Sequence, residues 1–284
     1  MTIVCKNVTA EQVKQFMELG FALDSPKTEY EEIRMTKQGA TLVLYTSGKL
    51  VIQVKDEQEE KIEYYLKHNG FVIEASKEKQ NTEPVKIYHN VIGSDETLKG
   101  DTFGGLIVVG AYFSKEEEHI LTEFGVKDSK LLSDKQIDML GQMLLGRFPD
   151  RFIIEELEPS EYNMLIAEKK SATVLLNDLH EKTGKKLKQL FGEDIIHLVD
   201  EYPGCSVGDE RITKAEQASL AVAAASIVAR HKGLAQFERL SDQVGFNLPK
   251  GSTHVGAALD VLIKKDVNLE LFAKTSFKNV KKIL

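Results

Sequence analysis

The chain has 284 residues, 42% of them hydrophobic and 29% charged, and a formal net charge of −7. That length suits one large globular unit or two modest ones, and the composition is that of an ordinary globular protein with no low-complexity tract. Cys5 and Cys205 lie far apart with no CxxC or Cys/His spacing, which argues against a zinc site or a disulfide framework and fits a reducing cytosol.

Residues 1–75 read as a small α+β unit. Thr9-Ala10-Glu11-Gln12 is a capping box opening an amphipathic helix, with Val13, Phe16, Met17 and Leu19 on one face. Strand-like segments follow at Arg34-Met35-Thr36, Ala40 to Thr46 and Leu50 to Val54, the last two forming a hairpin about Ser47-Gly48. A second helix, about Glu57 to His68, closes at Asn69-Gly70. Residues 76–86 are polar, contain Pro84 and read as a linker to a second domain, 87–284. There the pattern predicts strands at about 87–93, 104–113, 151–157 and 194–199. It predicts helices at about 115–123, 133–145, 160–181, 213–231 and 253–265. Such alternation implies an α/β layered domain with a sheet covered by helices.

No signal-peptide pattern opens the sequence, and the longest apolar run, Leu220 to Ala229, is about half a membrane span. The expectation is a cytoplasmic protein without a membrane partner, and a monomer. The acidic net charge alone disfavours a nucleic-acid partner, but the charges are segregated. Glu116-Glu117-Glu118 and Glu155-Glu156 are acidic clusters, whereas Lys169-Lys170, Lys185-Lys186-Lys188 and the tail lysines Lys264, Lys265, Lys274, Lys278, Lys281 and Lys282 are basic. Local potential decides where a polyanion docks, although each run also reads as a solvated helix face.

Asp95 and Glu96 follow an apolar segment and precede a second, Leu106 to Phe113. Adjacent carboxylates beside a buried strand are costly unless a cation neutralises them, and hard oxygen ligands suit Mg2+ or Mn2+. Asp200 ends another strand-like run, Ile195 to Val199. Acids brought together from separate strands are how two-metal phosphoryl-transfer sites are built. Consecutive strand residues point to opposite faces, so the backbone must distort at Asp95-Glu96, or Glu96 must reach round from the loop. The alternative is a turn with solvated acids. Glu216 is a candidate fourth acid, but Thr213-Lys214-Ala215-Glu216 also reads as a capping box at a helix start. His197, His231 and His254 are isolated and read as satisfied or exposed histidines.

Several motifs in order resemble ribonuclease HIII, within the type 2 ribonuclease H family. They are Ile92-Gly93-Ser94-Asp95-Glu96 with Gly100-Asp101-Thr102-Phe103-Gly104; Val126 to Asp134; Pro159 to Asn163; Asn177 with His180; Lys214-Ala215-Glu216 leading to Ala223 to Arg230; Leu248 to Ser252; and Lys274 to Asn279. The N-terminal unit resembles the TATA-binding-protein-like domain of that family, most clearly at Leu44 to Lys49, and the resemblance implies a domain that helps bind substrate. The resemblance implies a ribonuclease H-like fold and an endonuclease that hydrolyses the RNA strand of RNA/DNA hybrids with Mg2+ or Mn2+, leaving 5′-phosphate and 3′-hydroxyl ends. It implies Asp95, Glu96 and Asp200 as metal-binding catalytic acids, with Glu216 where a fourth catalytic acid falls. The loop that senses the ribose 2′-hydroxyl is usually richer in glycine; here it reads Thr97-Leu98-Lys99-Gly100, and these four are the candidate substrate contacts. Two other readings stand beside it: cleavage at single ribonucleotides in duplex DNA, as in ribonuclease HII, and a non-catalytic hybrid-binding protein.

Overall fold

The computed structural model describes residues 2–54, 56–74 and 86–284, with the side chains of 56–60 and 74 left aside. The chain forms two compact units, Met1–Pro84 and Val85–Leu284. Apart from Lys86, the expected linker lies outside the described residues.

The first unit is built on β1 (Thr2–Cys5), α1 (Ala10–Lys14), β2 (Ala22–Asp24), β3 (Glu31–Lys37), β4 (Ala40–Tyr45), β5 (Leu50–Val54), α2 (Asp56–His68) and β6 (Ile73–Glu74). The strands form an antiparallel sheet in the order β2-β3-β4-β5-β1-β6. The Thr9–Gln12 capping box is present, but α1 tightens into a 3-10 turn over Gln15–Leu19. That change of pitch keeps Val13 and Phe16 in the core and turns Met17 out to solvent, against the sequence expectation. Alternation divides the sheet. Ile33, Met35, Leu42, Leu44, Leu50 and Ile52 pack with Val13, Phe16, Ile62 and Leu66 of the helical layer. The opposite face carries a polar row across four strands, Thr36, Thr41, Gln53 and Thr2, set by the pairings Thr36↔Thr41, Thr41↔Gln53 and Thr2↔Gln53.

The second unit contains β7 (Ile92–Thr97), β8 (Leu106–Tyr112), α3 (Lys115–Glu123), α4 (Asp134–Arg147), β9 (Phe152–Leu157), α5 (Pro159–Lys169), α6 (Ala172–Phe191), β10 (His197–Asp200), β11 (Glu210–Ile212), α7 (Leu220–Val244), α8 (Gly256–Lys264) and α9 (Lys278–Lys281). Its mixed sheet has the order β11-β10-β7-β8-β9, antiparallel from β7 to β9 and parallel among β7, β10 and β11. β8 is buried on both faces, so it reads as an unbroken apolar run. α7 covers one face, backed by α4; α6 covers the other, backed by α5. Two expected helices differ. The segment 160–181 is broken at Lys170, whose left-handed φ of 58° caps α5 before Ser171 opens α6. The segment 213–231 begins as a separate 3-10 turn, Ala215–Gln217, and α7 starts only at Leu220. Lys274, read as part of a basic surface, is fully buried. Among the described residues, no helix is long and apolar enough to cross a membrane.

Candidate active site

The first strand of the second unit runs further than its apolar residues suggest. β7 stays paired with β8 from Ile92↔Tyr112 through Asp95↔Val109 to Thr97↔Ile107, so both acids lie within a regular strand and not beyond its end. The expected backbone distortion at the pair is therefore absent; the left-handed residue is Leu98, with φ 66°. Regular pleating sends the two carboxylates to opposite faces. Gly93 shows which face is which. A Cβ there would meet the backbone of α7, at 2.3 Å from Val222 N and 2.6 Å from Ala221 C. Gly93, Asp95 and Thr97 thus face α7, whereas Ser94 and Glu96 face α6.

β10 lies parallel to β7, with Leu198 beside Gly93 and Val199 beside Ser94. The next step of that register brings Asp200 level with Asp95. Leu198 belongs to the core on the α7 side and Val199 to the core on the α6 side, so Asp200 shares Asp95's face. Two strands far apart in sequence thereby deliver two carboxylates side by side at their C-terminal ends.

Neighbouring groups set the charges. The Asp95 carboxylate accepts the Glu96 N–H at 2.8 Å and a hydrogen bond from the Ser226 hydroxyl. Burial, and then the Glu96 carboxylate, push its pKa up to about 7, with Asp200 adding to the rise. Asp200 accepts the Ala215 N–H at 2.8 Å. Burial raises its pKa, and the Glu216 and Glu96 charges raise it further. Glu96 is also pushed up by burial, but His180 and Lys99 outweigh that and hold it below its ordinary value. Its Oε2 lies 3.3 Å from His180 Nε2, and its Oε1 accepts from Lys99 Nζ at 3.0 Å. Behind it, buried Ser94 Oγ lies 2.8 Å from His180 Nδ1 and 2.8 Å from His197 Nε2. His197 is thus a satisfied core histidine; burial and the neighbouring His180 lower its pKa to about 3.

Glu216 is buried and does not cap α7. Its turn begins at Lys214 with φ 59° and has no side-chain cap, so the capping-box reading of Thr213 to Glu216 fails. Its Oε1 accepts from Lys130 Nζ at 2.7 Å, while buried Oε2 has no hydrogen-bond partner. An orphaned carboxylate oxygen is expensive unless a cation completes it. Together with the raised Asp95 and Asp200, it makes a set of hard oxygen donors short of positive charge, which fits a divalent cation. As the side chains stand, no three His, Cys, Asp or Glu groups among the described residues converge to enclose an ion. Glu96 is turned to His180 and Lys99, and Glu216 to Lys130.

Of the loop candidates, Thr97 ends β7 against α7, Leu98 is buried, and Lys99 and Gly100 are exposed. The Lys99 ammonium lies 4.2 Å from the Tyr202 ring centroid. Sequence reasoning gave no role to Ser94, Lys130, His180 or Ser226. Lys130 and Ser226 come from segments remote in the chain, and their only signal was membership of ordered motifs.

A five-stranded mixed sheet covered by helices on both faces, with acids gathered at the ends of its central parallel strands, is a ribonuclease H-like α/β fold. The model of the family described as ribonuclease HII matches residues 92–280. Ribonuclease HIII of Protochlamydia amoebophila is 34% identical over 96% of this chain and 92% of its own length, and that of a Geobacillus strain is 32% identical over 87% and 85%. The crystal structure of Bst-RNase HIII in complex with Mn2+ superposes with a TM-score of 0.62 at 25% identity, covering 99% of this chain and 97% of that one. The chain belongs to the ribonuclease HII/HIII family and is closely related to the bacterial ribonucleases HIII.

Proposed function

We propose that this chain is an endoribonuclease that hydrolyses the RNA strand of RNA/DNA hybrids by metal-assisted phosphodiester hydrolysis, leaving 5′-phosphate and 3′-hydroxyl ends. The observation that carries the reading is the alignment of Asp95 and Asp200 on adjacent parallel strands, with Glu96 and Glu216 around them, in a member of this family. Asp95 and Asp200 on one face of the sheet, joined by Glu96 on turning from His180 and Lys99, would hold Mg2+ or Mn2+, and Glu216 is the fourth acid. The bound cation supplies charge neutralisation at the scissile phosphate and activation of water.

The chain's own residues do the rest. Asp95 and Asp200 are held by backbone N–H groups, so their free oxygens keep a fixed direction. Lys130 and Lys99 offset the negative charge of Glu216 and Glu96. Thr97, Leu98, Lys99 and Gly100 form the ribose-facing loop, since the 2′-hydroxyl is the group that separates RNA from DNA.

The first unit is read as a TATA-binding-protein-like domain, 1–75, that adds hybrid affinity. Support comes from its polar row of Thr36, Thr41, Gln53 and Thr2 on the sheet face opposite the helical layer, and from exposed Lys37 and Lys49. Lys55 lies outside the described residues. Comparing cleavage of a long RNA/DNA hybrid with that of a DNA duplex carrying a single ribonucleotide, in Mg2+ and in Mn2+, tests the proposal. Preferential cutting of the long hybrid supports it; cutting of neither substrate defeats it.

A further inference from the structure

Lys274 is fully buried in the second unit, and no carboxylate is within hydrogen-bonding reach of it among the described residues. Its ammonium donates to the carbonyl oxygens of Leu98 and Asp101, each at 2.6 Å. The Tyr162 and Phe277 rings lie 5.3 Å away by their centroids. Burial lowers its pKa to about 7, and Asp101 opposes the fall. Either protonation state donates hydrogen bonds, so the contact persists as the group titrates. A methionine would fill this slot without the cost of burying a cation. What methionine cannot do is donate to two carbonyls.

Those carbonyls belong to the loop that follows Glu96. Leu98 sits there at φ 66°, a conformation a leucine adopts only at a cost. Its side chain is buried, and the loop's exposed residues are Lys99 and Gly100. The next residues are stitched to the C-terminal segment as well. Lys274 N donates to Thr102 O at 2.8 Å, Gly104 N to Phe272 O at 3.0 Å, and Asn279 Nδ2 to Thr102 Oγ1 at 2.7 Å.

We propose that Lys274 is a positioning residue for ribose discrimination: by gripping the Leu98 and Asp101 carbonyls it holds the 97–100 loop in the one shape that presents Lys99 and Gly100 to the RNA strand. This rests on the reading of that loop as ribose-facing. Lys274 touches no reacting atom. Its effect passes through the loop backbone, where glycine would otherwise have made the left-handed turn without strain.

The test measures affinity of the full chain for one RNA/DNA hybrid and for the DNA duplex of the same sequence, in EDTA so that nothing is cut. Lys274→Met removes both hydrogen bonds, and Lys274→Gln keeps an amide NH2 that can still donate to the loop carbonyls from a shorter side chain. The expected result is cooperative unfolding in both variants and a hybrid-to-duplex affinity ratio about tenfold lower in Lys274→Met, with Lys274→Gln between it and wild type. In Mg2+, KM for the hybrid should rise while kcat at saturation is kept. An unchanged ratio in folded Lys274→Met overturns the proposal, as does failure of both variants to fold, which would make Lys274 a purely structural residue. A wild-type protein that does not prefer the hybrid defeats the ribose-facing reading itself, a failure visible before any variant is made.

Discussion

Asp95→Asn should make the metal-free protein more stable at neutral and alkaline pH. In the folded chain the Asp95 pKa rises from 3.8 to about 7 because burial and the Glu96 carboxylate disfavour its charge. Between those values the folded state binds a proton that the unfolded state has released. Stability therefore falls as pH rises through that window, and the loss is complete above about pH 7. At roughly 1.4 kcal/mol per pH decade, the cost of ionised Asp95 is on the order of 4 kcal/mol. Asparagine keeps an oxygen for the Glu96 N–H and cannot ionise. Urea unfolding in EDTA, run from pH 4 to pH 8, should show the variant matching wild type at the acid end. It should gain up to about 4 kcal/mol at the alkaline end. Saturating Mg2+ should narrow the gap by stabilising only the wild type. A variant no more stable than wild type at pH 8 would refute the crowding of unneutralised carboxylates at this site.

Glu216→Gln should lower cleavage by orders of magnitude with little loss of stability, because Glu216 caps no helix and already leaves one buried oxygen unpartnered; wild-type turnover in that variant counts against a catalytic role. Gly93→Ala should cost roughly 1–3 kcal/mol and displace β7 from α7, since the added methyl meets backbone and not a flexible side chain; an unchanged melting curve would show that the helix seats less closely than described. Removing residues 1–84 should weaken hybrid binding and flatten its salt dependence, while cleavage at saturating substrate persists; equal affinity of full-length and shortened protein, across a salt titration, rules out a binding role for the first unit.

Much of this was legible because local signals and the tertiary structure agree. The capping box at Thr9 marks α1, and the apolar run from Leu106 marks β8. Asp95, Glu96 and Asp200 stood out as acids beside apolar strands. What was hidden depends on partners distant in sequence. Asp95 and Glu96 lie inside β7 because β8 pairs with them, which no local pattern encodes. Thr213-x-x-Glu216 has the letters of a cap, yet the left-handed Lys214 and the Asp200 carboxylate, which takes the Ala215 N–H, divert the chain into a separate turn. β11 is three residues, Glu210–Ile212, with no apolar run to announce it. Lys274 resembled the exposed lysines around it in sequence, and only the fold places two loop carbonyls over it.

The most direct measurement is cleavage of an end-labelled RNA/DNA hybrid by wild type and by Asp200→Asn in Mg2+, with hybrid affinity of both proteins determined in parallel. Cutting by wild type, none by Asp200→Asn and near-equal affinity are the expected results. Cleavage by Asp200→Asn at the wild-type rate would contradict a catalytic centre built from the carboxylates at the ends of β7 and β10.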